Sequence, residues 1–141
     1  MYFLIFFINV ISACFVCGSD WNTRTIPNRI IMLIFAINIV NGYISDYIFQ
    51  SLFFSLLLCS ILFILWLFDV LGGGDVKLLF AFSVGITPDL ILYNYLFTFL
   101  LGGVLAAFMY VFLKKPFERG IPYGLPICVS SLFFIGVSIL I

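Results

Sequence analysis

Leu71-Gly72-Gly73-Gly74-Asp75-Val76-Lys77 separates two long apolar runs. Its reading decides how often the chain crosses a membrane, because the run behind it, Val76 to Thr87, is short. Three consecutive glycines let another segment approach the backbone closely. An aspartate beside lipid is costly and is kept mostly for function or pairing. Asp75 therefore reads as one half of a carboxylate pair, with Asp20 as the other.

The surrounding composition sets the class. The chain has 141 residues, 65% of them hydrophobic and 9% charged, with a mean hydropathy of +1.34. A water-soluble domain of this size lacks the interior to hide that much apolar surface. The expected fold is an all-α polytopic membrane bundle of about six transmembrane helices, forming a single unit over residues 1–141. Six basic and six acidic residues give zero net charge, which leaves no basic face for nucleic acid.

Histidine is absent, so neither a Ser-His or Cys-His nucleophile pair nor an imidazole-dependent zinc site can be built. A Ser-Lys dyad on Lys77 finds Phe80 and Ala81 one turn on, which leaves only a serine from another helix. Cys14, Cys17, Cys59 and Cys128 all lie within apolar runs, and the C-x-x-C pair Cys14 and Cys17, with no second pair in the chain, reads as small buried residues rather than a redox or metal motif. No metal and no organic cofactor is expected. Met1 to Gly18 contains no Lys or Arg, so a signal's positive region is missing, and it reads as the first span.

A span takes roughly 20 apolar residues to cross a ~30 Å core. The expected segments are Tyr2 to Gly18, Ile30 to Ile44, Phe49 to Phe68, Val76 to Thr87, Leu90 to Leu113 and Pro122 to Ile141. Asn28 is expected to cap the second, and Pro88-Asp89 to end the fourth. All six basic residues fall after segments one, three and five: Arg24 and Arg29, then Lys77, then Lys114, Lys115 and Arg119. The positive-inside rule puts those loops in the cytoplasm and both termini outside. If segment four left by the face it entered, the last three charges would be stranded outside, so it is expected to be a real but short crossing. Asp75 to Asp89 covers only ~21 Å of helix, which predicts a site recessed below the cytoplasmic surface and reached by water.

Asp20 and Asp75 are then level in depth at one face. Two close carboxylates share a proton. The ionised one can take a proton from water while the other hydrogen-bonds the substrate carbonyl. This is direct attack of water on a peptide bond, without histidine. An aspartate at a span end is otherwise often a cap or an interface marker. Asp46, Asp69 and Asp89 read that way, with Asp69 near enough to the glycines to support the site. Lys77 and Arg24 read as cytoplasmic anchors.

The run Gly72-Gly73-Gly74-Asp75 fits the G-x-G-D signature of membrane-embedded aspartic proteases. Together with Asp20-x-x-x-Arg24-x-Ile26-Pro27-Asn28 and the Val76-Lys77 that follows, it resembles the type IV prepilin leader peptidases, in the small form that serves Flp/Tad-type pili. Pro122-Tyr123-Gly124-Leu125-Pro126 is similar to the element opening that family's last helix. The resemblance implies an enzyme of the bacterial cytoplasmic membrane that cleaves the basic leader from membrane-anchored prepilins on the cytoplasmic side. It makes Asp20 and Asp75 the catalytic dyad. Gly72 and Gly74 would shape the loop, Tyr123, Gly124 and Pro126 would line the substrate approach, and Arg24, Pro27, Asn28 and Lys77 would bind substrate or shape the site. Larger members also carry a cysteine-rich domain with two C-x-x-C pairs and methylate the new pilin N-terminus. This chain has no place for it, so cleavage without methylation is expected. The alternative from a different class is a small proton- or cation-coupled carrier using the same carboxylates.

Overall fold

The computed structural model describes residues 1–68, 71–112 and 120–141. They form an all-α membrane helical bundle of six helices: α1 (Tyr2–Thr23), α2 (Asn28–Ile44), α3 (Ile48–Leu67), α4 (Gly73–Ser83), α5 (Pro88–Phe112) and α6 (Gly124–Leu140). Three of them, α1, α3 and α5, are long and apolar enough to cross a membrane. They turn large apolar side chains outward, among them Phe3, Phe53 and Tyr110. That surface suits lipid rather than water. Asp69 and the basic residues Lys114, Lys115 and Arg119 of the loop expected after segment five lie outside the described residues.

The breaks between helices follow from local chemistry. α1 ends where Arg24 takes a left-handed conformation (φ 54°) and its N–H returns to the Asp20 carbonyl. Pro27, extended at φ −64° and ψ 126°, stops the link and starts α2. Asn28 is therefore the first helical residue and not the cap, and its side chain makes no capping bond. The proline's fixed φ already sets the helix start. Between α2 and α3, Asp46 is left-handed (φ 58°). Tyr47 N–H bonds the Gly42 carbonyl and Asp46 N–H the Tyr43 carbonyl, a Schellman closure with aspartate where glycine is usual.

α4 is the core of the bundle. Val76, Leu78, Leu79, Ala81 and Phe82 are buried, and so are Val84 and Ile86 just beyond its end. Beyond Lys77 it is apolar almost all round, and such a stretch has to be wrapped by other helices. It begins three residues earlier than the sequence suggested, at Gly73, and ends at Ser83. The chain then tightens, with Gly85 N–H to Phe82 O and Ile86 N–H to Ser83 O. Pro88 and Asp89 open α5 instead of closing α4. Proline suits the first turn of a helix, where its missing N–H would have no partner anyway.

Eleven residues make only ~16 Å of helix, so the carbonyls at the end of α4 must find partners inside protein. Asn38 Nδ2 donates to Ala81 O at 3.1 Å and Asn41 Nδ2 to Gly85 O at 3.0 Å. Tyr47 Oη gives Gly85 O a second bond at 3.0 Å, and Ser51 Oγ donates to Ile86 O at 2.7 Å. Thr87 N–H finds Ser138 Oγ at 3.0 Å. α4 and its closing turn thus run beside α2 from the level of Asn28 to that of Asn41. A reciprocal amide pair, Asn9 with Asn38 at 3.1 and 3.3 Å, ties α1 to the same post. Asn94 on α5 joins Ser130 on α6 at 2.7 Å.

Candidate active site

One end of the bundle collects the α1–α2 link and the first turns of α4 and α6. Asp20 sits one turn before the end of α1 and is only 6% exposed. Its Oδ2 accepts the backbone N–H of Gly124, the first residue of α6, at 2.8 Å. A helix N-terminus offers unpaired N–H groups and positive potential, so a carboxylate is well held there. Glycine at 124 is a spatial requirement. A Cβ would stand 2.7 Å from Asp20 Oδ2 and 3.0 Å from its Cγ.

Asp75 is the third residue of α4 and is half-buried. Gly72 is the N-cap and its carbonyl accepts the Asp75 N–H at 3.1 Å. The Asp75 carboxyl folds back over that glycine, where a Cβ would meet Oδ2 at 2.8 Å. Gly73 and Gly74 are helical, so of the glycines only Gly72 lies in the bend. A side chain at Gly73 would meet the Trp66 indole Nε1 at 3.0 Å, and Gly74 faces Ile26 of the α1–α2 link.

The two acids, 55 positions apart in sequence, share surroundings in space. Each borders the Tyr123-Gly124 turn. Its Gly124 N–H holds Asp20, while the Tyr123 ring walls a small void beside Asp75 together with Thr98 and Ile127. Tyr123 is itself seated on Gly102, whose missing side chain makes room for the ring.

On its outer side Asp75 borders a cleft of about 330 Å³ lined by Arg24, Thr25, Ile26, Asn28, Lys77 and the glycines. Arg24 lies with its guanidinium carbon 5.8 Å from the centre of the Trp21 ring, within cation–π range. Its Nε and Nη1 are buried with no hydrogen-bond partner. The link carrying Arg24 is tied down by Ser19 Oγ, which donates to Thr25 O at 2.8 Å. Asp20, Arg24, Asn28, Gly72, Gly74, Asp75, Lys77, Tyr123 and Gly124 thus gather at one end. Pro27 is an exposed link residue. Pro126 is buried and borders a separate hollow between α5 and α6, beside Leu101 and Leu105.

Two features escaped the sequence reading. The backbone donor to Asp20 carries no sequence signal apart from a glycine at 124. The amides that close α4 could have been found, since Asn9, Asn38 and Asn41 stand inside apolar runs where a polar side chain needs a partner. The cysteines also differ from expectation. Only Cys128 is buried, Cys17 and Cys59 are half-buried, and Cys14 is exposed on the outer face of α1. Polarizable thiols are tolerated there as small apolar groups.

A helical membrane bundle that brings two acids and a glycine-rich helix start to one end defines the class of this protein. It belongs to the type IV leader peptidase family, whose model matches residues 4–107. The match includes both acids, Arg24, Lys77 and the glycines, and stops before α6. No curated protein and no solved structure matches the chain.

Proposed function

We propose that the protein is an aspartic endopeptidase that cleaves the leader of Flp-type prepilins at the cytoplasmic face of the bacterial inner membrane. Asp20 and Asp75 act as one unit sharing a proton. The ionised carboxylate takes a proton from water as its oxygen attacks the scissile carbonyl carbon. The protonated partner donates to the carbonyl oxygen as it becomes an oxyanion, and the amine leaves after taking a proton from the pair. Both carboxyls end the cycle as they began. The observation that carries this reading is the convergence of Asp20 and Asp75 on the Tyr123-Gly124 turn.

The topology proposed is six crossings with both termini outside, from the basic residues gathered after the odd segments. Arg24, Asn28 and Lys77 border the cleft and contact substrate there. Gly72 and Gly124 leave room for the acids, Gly74 lets Ile26 of the α1–α2 link close on the start of α4, Tyr123 and Pro126 support the approach through the α6 start, and Pro27 sets the link. Cleavage proceeds without methylation of the new N-terminus. The test is processing of a co-expressed Flp-type precursor by Asp20→Asn and Asp75→Asn variants. If both still process it, the hydrolytic reading falls and proton- or cation-coupled transport by the same acids gains. Methyl transfer from S-adenosylmethionine to the processed pilin by the purified protein would refute the absence of methylation.

A further inference from the structure

An apolar trench of about 560 Å³ lies between α2 and α3 with α4 as its floor. Met32 and Phe35 form one wall, Phe63 and Trp66 the other, and Val76 and Phe80 the base. Each set recurs every three or four residues, so each helix turns a single stripe towards the trench. It extends from Asn28 to Phe35, about two helical turns or ~10 Å along the bundle. Its rims are open, with Met32 70% and Phe63 50% exposed.

This trench is continuous with the polar cleft beside Asp75. Asn28, Gly73 and Lys77 line both. Polarity changes sharply at that junction, from Arg24, Thr25, Asn28 and Lys77 on the acid side to aliphatic, aromatic and thiol groups beyond it. The Trp66 indole lies over Gly73 at the seam, where a glycine lets the ring approach the backbone. A chain that passes from cleft to trench must therefore be polar on one side of Asp75 and apolar on the other.

We infer that the α2–α3–α4 trench is an exosite for the apolar, membrane-anchored helix on the C-terminal side of the cut, which feeds the scissile bond into the acid cleft. The inference rests on the proteolytic reading above and adds where the substrate is held. Seating an apolar helix in a preformed trench fixes the depth of the scissile bond. This positioning raises the effective concentration of the bond at the acids without touching the chemistry. The trench is a lateral opening, so an anchored helix reaches it by diffusion in the bilayer plane.

The test uses the full protein in membranes, with a photo-cross-linking phenylalanine analogue at 32, at 63, or at 96 on α5, where Leu96 is also exposed. An Asp75→Asn background retains the precursor. Cross-links to an Flp-type precursor from 32 and 63 but not from 96 are expected. Cross-links to lipid alone, or equal yields from all three positions, would overturn the exosite. Kinetics supply a second readout. Met32→Trp, which crowds the trench at an exposed position, is expected to raise KM for the anchored precursor about tenfold. It should leave kcat unchanged, and cleavage of a soluble peptide spanning the cut should be unaffected. Equal effects on both substrates, or none on either, would count against the exosite while leaving proteolysis intact. Failure of the unmodified enzyme to cleave anything would instead strike the proteolytic reading, and the cross-links would still report whether the helix binds.

Discussion

The carboxylate of Asp20, near the end of α1, accepts the backbone N–H of Gly124, the first residue of α6, at 2.8 Å. This bond joins positions 104 apart and couples the posture of an acid to the start of the last helix. It also sets Tyr123 against the void beside Asp75, so one turn of backbone serves both acids.

Gly124→Ala tests that coupling. The added methyl would stand 2.7 Å from Asp20 Oδ2, so the carboxylate or the α6 start has to move and the bond is lost. A hydrogen bond to a charged group contributes about 1.5–3 kcal/mol, which corresponds to a fall of roughly ten- to a hundredfold in cleavage rate. Timed processing of a precursor in detergent micelles measures it. An unfolding midpoint near that of the unmodified protein would separate the loss from misfolding.

Arg24 is expected to act on binding. Its Nε and Nη1 are buried without partners beside the cleft that Asp75 borders, so a substrate acceptor can complete them. Arg24→Ala should raise KM about tenfold with kcat changed much less. Steady-state kinetics on a purified precursor decide it, and an unchanged KM would contradict the role.

The amide post is a stability device. Asn38→Ala removes the pair with Asn9 and leaves the Ala81 carbonyl without its side-chain donor. Interhelical hydrogen bonds in membranes are worth about 0.6 kcal/mol on average and up to ~1.7. The loss of several at once should cost about 1–2 kcal/mol. Reversible unfolding in mixed micelles reads this, and full stability in the variant would contradict it.

These sites show what the sequence could and could not disclose. The helices were legible because lipid demands long apolar runs and the few polar residues mark their ends. Asp20 and Asp75 stood out because charges beside such runs are costly. The start of α4 was misjudged because glycine reads as loop, yet Gly73 and Gly74 are helical. There they let Trp66 and Ile26 close in. Pro88-Asp89 was misassigned because a proline can stop one helix or open the next, and only the turn at Gly85 and Ile86 decides which. The Gly124 N–H was invisible, since any residue but proline carries that donor. The shape of the site, including the trench between α2 and α3, needs three helices at once and has no local signature.

In the proposed mechanism the pH dependence follows from Asp20 and Asp75 sharing a proton. Cleavage should fall on the acid side as the basic carboxylate gains a proton, and on the alkaline side as the acidic partner loses its own. The result is a bell whose two limits belong to the pair. Replacing either acid with asparagine should remove the bell along with the activity, rather than shift one limb.

The central claim, that Asp20 and Asp75 hydrolyse a peptide bond together, is tested most directly by single-turnover cleavage of an Flp-type precursor with Asp20→Asn and Asp75→Asn proteins. Each variant should lose about a thousandfold or more in rate, and the double variant should be little worse than either alone, because residues that act as a unit are not additive. Cleavage by either single variant at the rate of the unmodified protein would contradict the account.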